Sequence, residues 1–185
     1  QGFYPDGIIT APSDDALKFD IEASMSCGFN GARLHQKVFE PIFLSLCDKK
    51  GYIVWGEHAN WGLNIDGTNG YTDFIAEWVE AMRRDFNHPA LIGWIINNES
   101  YWMPDVDTVC QTTIYNITKK LDTTRPVIDA SGGIHFVSDM FDIHDYEQDP
   151  TKLAAYLEPM LTSPDYFHSP VPRYRGKKPI RTENE

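Results

Sequence analysis

Polar and apolar positions alternate along this chain in blocks. An amphipathic helix gives way to a polar corner, and a short apolar run then stops at a second polar cluster. Ser13-Asp14-Asp15 opens the first helix as a cap with acids in its first turn, Leu17, Ile21 and Met25 recur at fourfold spacing, and Gly28 closes it. Further helices are predicted from about Glu40 to Gly51, from Asp73 to Phe86 and from Asp105 to Leu121. Between them lie short runs that read as strands: Phe29 to Leu34, Tyr52 to Trp55, Leu91 to Ile96, Arg125 to Asp129, Phe141 to Tyr146 and Pro179 to Glu183. The run from Leu91 is the most telling. Pro89 cannot continue a helix, and Leu91 to Ile96 is too short and too uniformly apolar for a half-exposed one, so a parallel strand covered on both faces fits. It ends in Asn97-Asn98-Glu99-Ser100, where an α/β architecture binds its ligands.

Alternation of short strands with helices predicts right-handed βαβ units and a parallel sheet. The open doubly wound sheet and the (β/α)8 barrel both satisfy it. The barrel is preferred, because no GxGxxG or GxxxxGK[ST] follows the first strand and polar residues follow several strands instead of one switch point. The expected fold is therefore an α/β TIM (β/α)8 barrel occupying residues 1–185 as one domain. Six of its eight strands are legible, with one expected before Gln1 and one after Glu185.

Composition narrows the partners. The chain is 42% hydrophobic and 13% aromatic, enough for a sizeable core and unlike a disordered segment. A formal net charge of −11 argues against nucleic acid or an anionic membrane surface as partner. No run of 18 apolar residues and no leader pattern is visible, although Gln1 does not read as a native start. Cys27, Cys47 and Cys110 lack metal or disulfide spacing and are expected to be buried free thiols in helices.

Five linked blocks carry a resemblance. They are Gly28-Phe29-Asn30-Gly31-Ala32-Arg33-Leu34-His35, Cys47-Asp48-Lys49-Lys50-Gly51-Tyr52-Ile53-Val54-Trp55, Asp85-Phe86-Asn87-His88-Pro89 through Asn98-Glu99, Asp122-Thr123-Thr124-Arg125-Pro126-Val127, and Lys178-Pro179-Ile180. In order and over essentially the whole chain, they resemble the catalytic barrel of glycoside hydrolase family 2, which includes β-galactosidases, β-glucuronidases and β-mannosidases. The opening Gln1-Gly2-Phe3-Tyr4-Pro5-Asp6-Gly7 is most similar to the family's β-galactosidase-like bacterial branches. Members normally carry β-sandwich domains ahead of the barrel, and none is legible here.

The resemblance implies a retaining exo-β-glycosidase acting on terminal β-glycosides, β-galactosides first among them, through a covalent glycosyl-enzyme and with no organic cofactor; no metal-ligand set is singled out. Glu99 is the implied acid/base, and Asn98 the ligand of the sugar hydroxyl beside the reacting carbon. A carboxyl at the end of a buried strand is expected to have a raised pKa and to hold its proton near neutrality. Glu183 is the implied nucleophile, with Glu185 close behind; both would lie on one face of a strand. Arg33 resembles the family's arginine that steadies the nucleophile, and Tyr146 its tyrosine, with His144 competing for that place. His35 and His58 are candidates for sugar hydroxyls, and Trp61, Tyr101 and Trp102 for stacking on sugar faces. Glu57 reads as a supporting carboxylate or a magnesium ligand. A β-glucuronidase, a β-mannosidase and a non-catalytic carbohydrate-binding barrel fragment are the alternatives. The partner in every case is a carbohydrate. A homo-oligomer of the full-length protein is compatible with the sequence, which names no compartment.

Overall fold

The computed structural model describes residues 3–63, 68–100, 108–133, 135–142 and 144–162. Its framework is a four-stranded sheet in the order β1-β2-β3-β4, every neighbouring pair parallel. The strands are β1 (Gly31–Arg33), β2 (Ile53–Glu57), β3 (Leu91–Asn98) and β4 (Val127–Ser131). The helices α1 (Asp14–Ser26), α2 (Pro41–Lys50), α3 (Thr68–Asp85), α4 (Thr108–Leu121) and α5 (Pro150–Thr162) alternate with and follow them. Each new strand joins the same edge as the one before. With right-handed crossovers, an order that never reverses lays successive helices on one face and curls the sheet towards closure, whereas a doubly wound sheet must reverse. The four strands form the progression of a (β/α)8 barrel, incomplete among the described residues.

Local chemistry fixes the elements. Ser13 caps α1 by accepting the Ala16 amide at 3.2 Å, Pro41 starts α2, and Gly51 ends it at φ 66, a left-handed turn suited to glycine. The outer face of β3 sends Trp94 into the helix layer, where its indole meets Trp78 of α3 edge to face at 5.5 Å between centroids. Both indoles find partners: Trp78 Nε1 donates to Thr118 Oγ1 at 2.8 Å and Trp94 Nε1 to Asp122 Oδ2 at 2.9 Å.

Two of the family-like blocks turn out to be architecture. Asp48 accepts the His88 ring at 2.6 Å and the Ala90 amide at 2.9 Å, which ties α2 to the entry of β3. Asp122 accepts from Thr124, Arg125 and Trp94, while Arg125 Nη2 reaches the carbonyls of Phe86 and His88. These bonds lock the lower ends of β3 and β4 together. Burial raises the Asp122 pKa, but the donors around it prevail and hold it well below the usual carboxylate range.

Several expectations change. Residues 141, 142 and 144–149 form no strand; the Asp142 carboxylate accepts the Gly132 amide at 3.0 Å, and it also accepts the Ser131 hydroxyl. The Pro179–Glu183 run lies outside the described residues. Helix α3 starts at Thr68 rather than Asp73, and α5 was not expected. Cys47 and Cys110 are buried and in no disulfide, but Cys27 is exposed, because it occupies the C-cap of α1 beyond the buried stripe of Leu17 and Ile21. No described helix is long and apolar enough to cross a membrane.

Candidate active site

The site grows from the upper ends of the strands. Arg33 stands in register with Trp55, and Glu57 lies two residues further along β2, so the pleat brings both side chains to one face. Arg33 Nε and Nη2 clasp the carboxylate of Glu57, whose side chain is 0% exposed. The clasp is completed by the Gln36 amide, which donates to Glu57 Oε1 at 2.9 Å. With its oxygens accepting from these donors, Glu57 anchors Arg33. Among the described residues no group of three or more His, Cys, Asp or Glu is placed to hold a metal ion.

Anchored from behind, Arg33 reaches forward. Its Nη2 donates to Asn98 Oδ1 at 2.6 Å and its Nη1 lies 2.9 Å from His144 Nε2. Asn98 is itself fixed by Asn60, which accepts the Asn98 amide at 2.9 Å and donates to its carbonyl at 3.1 Å. An asparagine side chain thus imitates one more strand residue at the point where the ladder ends.

Glu99 then leaves the strand. Its φ of 44° is left-handed, uncommon for a residue with a side chain and frequent where a site over-determines the backbone. The Glu99 amide still pairs with the Ser131 carbonyl at 2.9 Å. The turn swings the carboxylate beside the Asn98 amide, with Nδ2 3.3 Å from Oε2, and towards two donors from the segment after β4. His144 Nδ1 lies 2.8 Å from Glu99 Oε1, and the Tyr146 hydroxyl donates to the same oxygen at 3.2 Å.

This environment corrects the expected ionisation of Glu99. Burial does raise its pKa, but hydrogen bonds from His144, Tyr146 and Asn98 outweigh burial, and the net direction is downward. Standing alone, Glu99 is held as a carboxylate.

Of the expected residues, Arg33, Asn98, Glu99, His144 and Tyr146 meet in one cluster. His35 stands at its edge: Nδ1 is 3.4 Å from Glu57 Oε1 without a directed hydrogen bond. Burial and the nearby Arg33 lower its pKa against the pull of Glu57. His58 is not brought in. Its ring packs 4.7 Å from Phe74 and its Nε2 faces Glu77 at 3.3 Å, so it joins β2 to α3. Trp61 is exposed at the rim, with its indole N–H on the Asn98 carbonyl at 3.2 Å. Tyr101, Trp102, Glu183 and Glu185 lie outside the described residues. Sequence reasoning missed Asn60, Ser131, Asp142, Asp129 and His135. Asp129 and Ser131 lie within β4, Asn60 lies three residues past β2, and His135 and Asp142 lie in the segment after β4, so position at or after a strand end was their only signal.

The chain matches the family described as Glycosyl hydrolases family 2, TIM barrel domain, over residues 11–166. It is 29% identical over 140 residues to a β-galactosidase of Aeromonas hydrophila, covering 69% of this chain and 12% of that protein. It is 31% identical over 103 residues to a β-glucuronidase of Mus musculus, covering 54% and 16%. A solved GH2 β-galacturonidase from Eisenbergiella tayi, bound to galacturonate, is similar with a TM-score of 0.61 and 27% identity, over 68% of this chain and 23% of that one. The chain therefore spans between 12% and 23% of the length of these relatives.

Proposed function

The chain belongs to glycosyl hydrolase family 2, and from that premise we propose that it carries the acid/base half of a retaining exo-β-glycosidase site acting on terminal β-galactosides. The observation that carries this reading is the convergence of Asn98, His144 and Tyr146 on the carboxylate of Glu99, at the upper end of a buried parallel strand. So many donors fix the aim of one carboxylate.

In the first step Glu99 donates its proton to the glycosidic oxygen while a second carboxylate, from Glu183 or Glu185, attacks the anomeric carbon; the C–O bond to the leaving group breaks and an ester forms. In the second step water attacks that carbon and Glu99 takes the water's proton, releasing the second carboxylate. The low pKa direction of Glu99 suits the second step as it stands. For the first step, an ionised carboxylate about 5–5.5 Å away repels the Glu99 charge and favours its protonated form; esterification then removes that repulsion. The same residue is thereby acid first and base second.

A neutral sugar is favoured by Arg33. Four of the five N–H bonds of its guanidinium are committed to Glu57, Asn98 and His144, leaving it poorly placed to clamp a substrate carboxylate. Terminal β-uronides are the second reading, favoured by relatives that are β-glucuronidases and a β-galacturonidase.

The test is covalent trapping of the full-length protein with a 2-deoxy-2-fluoro-β-galactoside, followed by peptide mapping of the labelled residue by mass spectrometry. Label on Glu183 or Glu185 is expected. Label only from the uronide analogue would move the substrate; silence from galactoside, glucuronide and mannoside analogues alike would overturn catalysis in favour of a non-catalytic sugar-binding barrel.

A further inference from the structure

We propose that His144 is a positioning residue for Glu99, its tautomer set by Arg33 and its ring seated on Gly132, so that one directed N–H holds the acid/base carboxylate in aim. This rests on the acid/base reading of Glu99.

The tautomer follows from donor counting. A guanidinium has donors and no acceptor, so at the 2.9 Å contact between Arg33 Nη1 and His144 Nε2 the imidazole nitrogen must accept. The ring proton then resides on Nδ1, which points at Glu99 Oε1 from 2.8 Å. Arg33 cannot turn away easily, because Glu57 grips its Nε and Nη2 from a fully buried position. Ser131 Oγ also lies 3.1 Å from Nε2, but its hydroxyl donates to Asp142 Oδ2 and leaves the Arg33 bond in place.

The seat is steric. A Cβ added to Gly132 would lie 2.3 Å from His144 Cγ and 2.4 Å from Nδ1, so the imidazole rests directly on the glycine backbone. Gly132 has a φ of 64°, a turn that glycine makes without strain. Asp142 accepts the Gly132 amide at 3.0 Å, and buried His135 joins Asp142 to Asp129 of β4. The loop after β4 is thus tied at both ends around the ring it presents. Among the described residues, the groups facing Glu99 and His144 are Asn98 from β3, Arg33 from β1 with Glu57 of β2 behind it, Ser131 from β4, and Asp142 and Tyr146 from the following segment.

Donation from His144 favours the ionised form of Glu99, whereas the first chemical step needs the protonated form. Removing the donor therefore raises the pH at which Glu99 ionises, and the basic limb of kcat/KM, which reports the acid in the free enzyme, moves to higher pH. The test compares wild type, His144→Phe and His144→Asn in the full-length protein, as pH profiles of kcat/KM for an alkyl β-galactoside, whose leaving group needs the proton of Glu99. Asparagine can place an amide N–H where Nδ1 stood. The expected result is an upward-shifted basic limb with a lower kcat for His144→Phe, and a limb restored towards wild type for His144→Asn. A His144→Phe limb coincident with wild type, or His144→Asn indistinguishable from His144→Phe, would overturn the proposal. Should His144→Phe fail to fold, Gly132→Ala keeps the imidazole but removes its seat, and the same upward shift is expected; an unmoved limb there also overturns it. Glu99→Gln separates the two claims. Full turnover by that variant would remove the acid/base assignment itself, whereas a crippled Glu99→Gln with an unmoved His144→Phe limb would remove the positioning role alone.

Discussion

His135 is sealed between two carboxylates, with Nδ1 2.7 Å from Asp129 Oδ1 and Nε2 3.2 Å from Asp142 Oδ1, and its side chain is 0% exposed. Burial alone lowers its pKa, but the hydrogen bonds and charges of Asp129 and Asp142 outweigh burial and push it up to about 10. The sign of the linkage follows. A group whose folded pKa is raised contributes its full stabilisation below its unfolded value, near 6.5, and loses it as pH rises towards the folded value. Urea unfolding of the wild type is therefore predicted to weaken between about pH 6.5 and pH 10, by a component that His135→Gln lacks. Parallel pH dependences for the two proteins would contradict the pairing. At this scale the sequence was legible where a residue sits at a strand end inside a family-like block, as with Arg33, Asn98 and Glu99. The ionisation of Glu99 was not, because its donors His144 and Tyr146 arrive from a distant segment and burial was the only term visible beforehand. His58 sits just as suggestively after a strand, yet its ring turns back into α3 to fill space beside Phe74.

Among the elements, β3 organises the rest, pairing with β2 on one side and β4 on the other. On its inner face Gly93 stands in register with Trp55, and a Cβ there would lie 2.2 Å from the Trp55 ring. The glycine is required by the close approach of an indole. Gly93→Ala is predicted to destabilise the fold by about 1–3 kcal/mol through overpacking, read as a lower urea midpoint with an altered Trp fluorescence spectrum. An unchanged midpoint would show that Trp55 can move aside at no cost. The elements that sequence reasoning identified were those with a complete signature, such as α1 with its Ser13 cap and α2 with its Gly51 stop. Helix α5 does have a start signal: Asp149 accepts the Thr151 amide at 2.9 Å ahead of Pro150. Pro159 inside the same helix hides it. The alternating run at 141–146 misled in the opposite direction, since Asp142 engages Gly132 and Ser131 through its side chain and alternation alone cannot tell such a segment from a strand.

At the scale of the whole molecule, the unreversed order β1-β2-β3-β4 and the family match over residues 11–166 agree on the barrel. Both follow from a pattern the sequence displayed, apolar strands separated by amphipathic helices, with polar clusters at the strand ends. What the pattern could not display is the division of labour across the sheet. Asp48, Asp122 and Arg125 bind its lower side together, while Arg33, Asn98 and Glu99 gather at the upper side. Azide rescue of Glu99→Ala in the full-length protein tests most directly whether Glu99 is the acid/base proposed above. Turnover of alkyl β-galactosides is predicted to fall by about 10²–10⁴-fold. With an aryl galactoside whose leaving group needs no proton, azide, which needs no base, should restore turnover and yield the β-galactosyl azide. Undiminished hydrolysis of the alkyl substrates, or an azide product of the α configuration, would contradict the account.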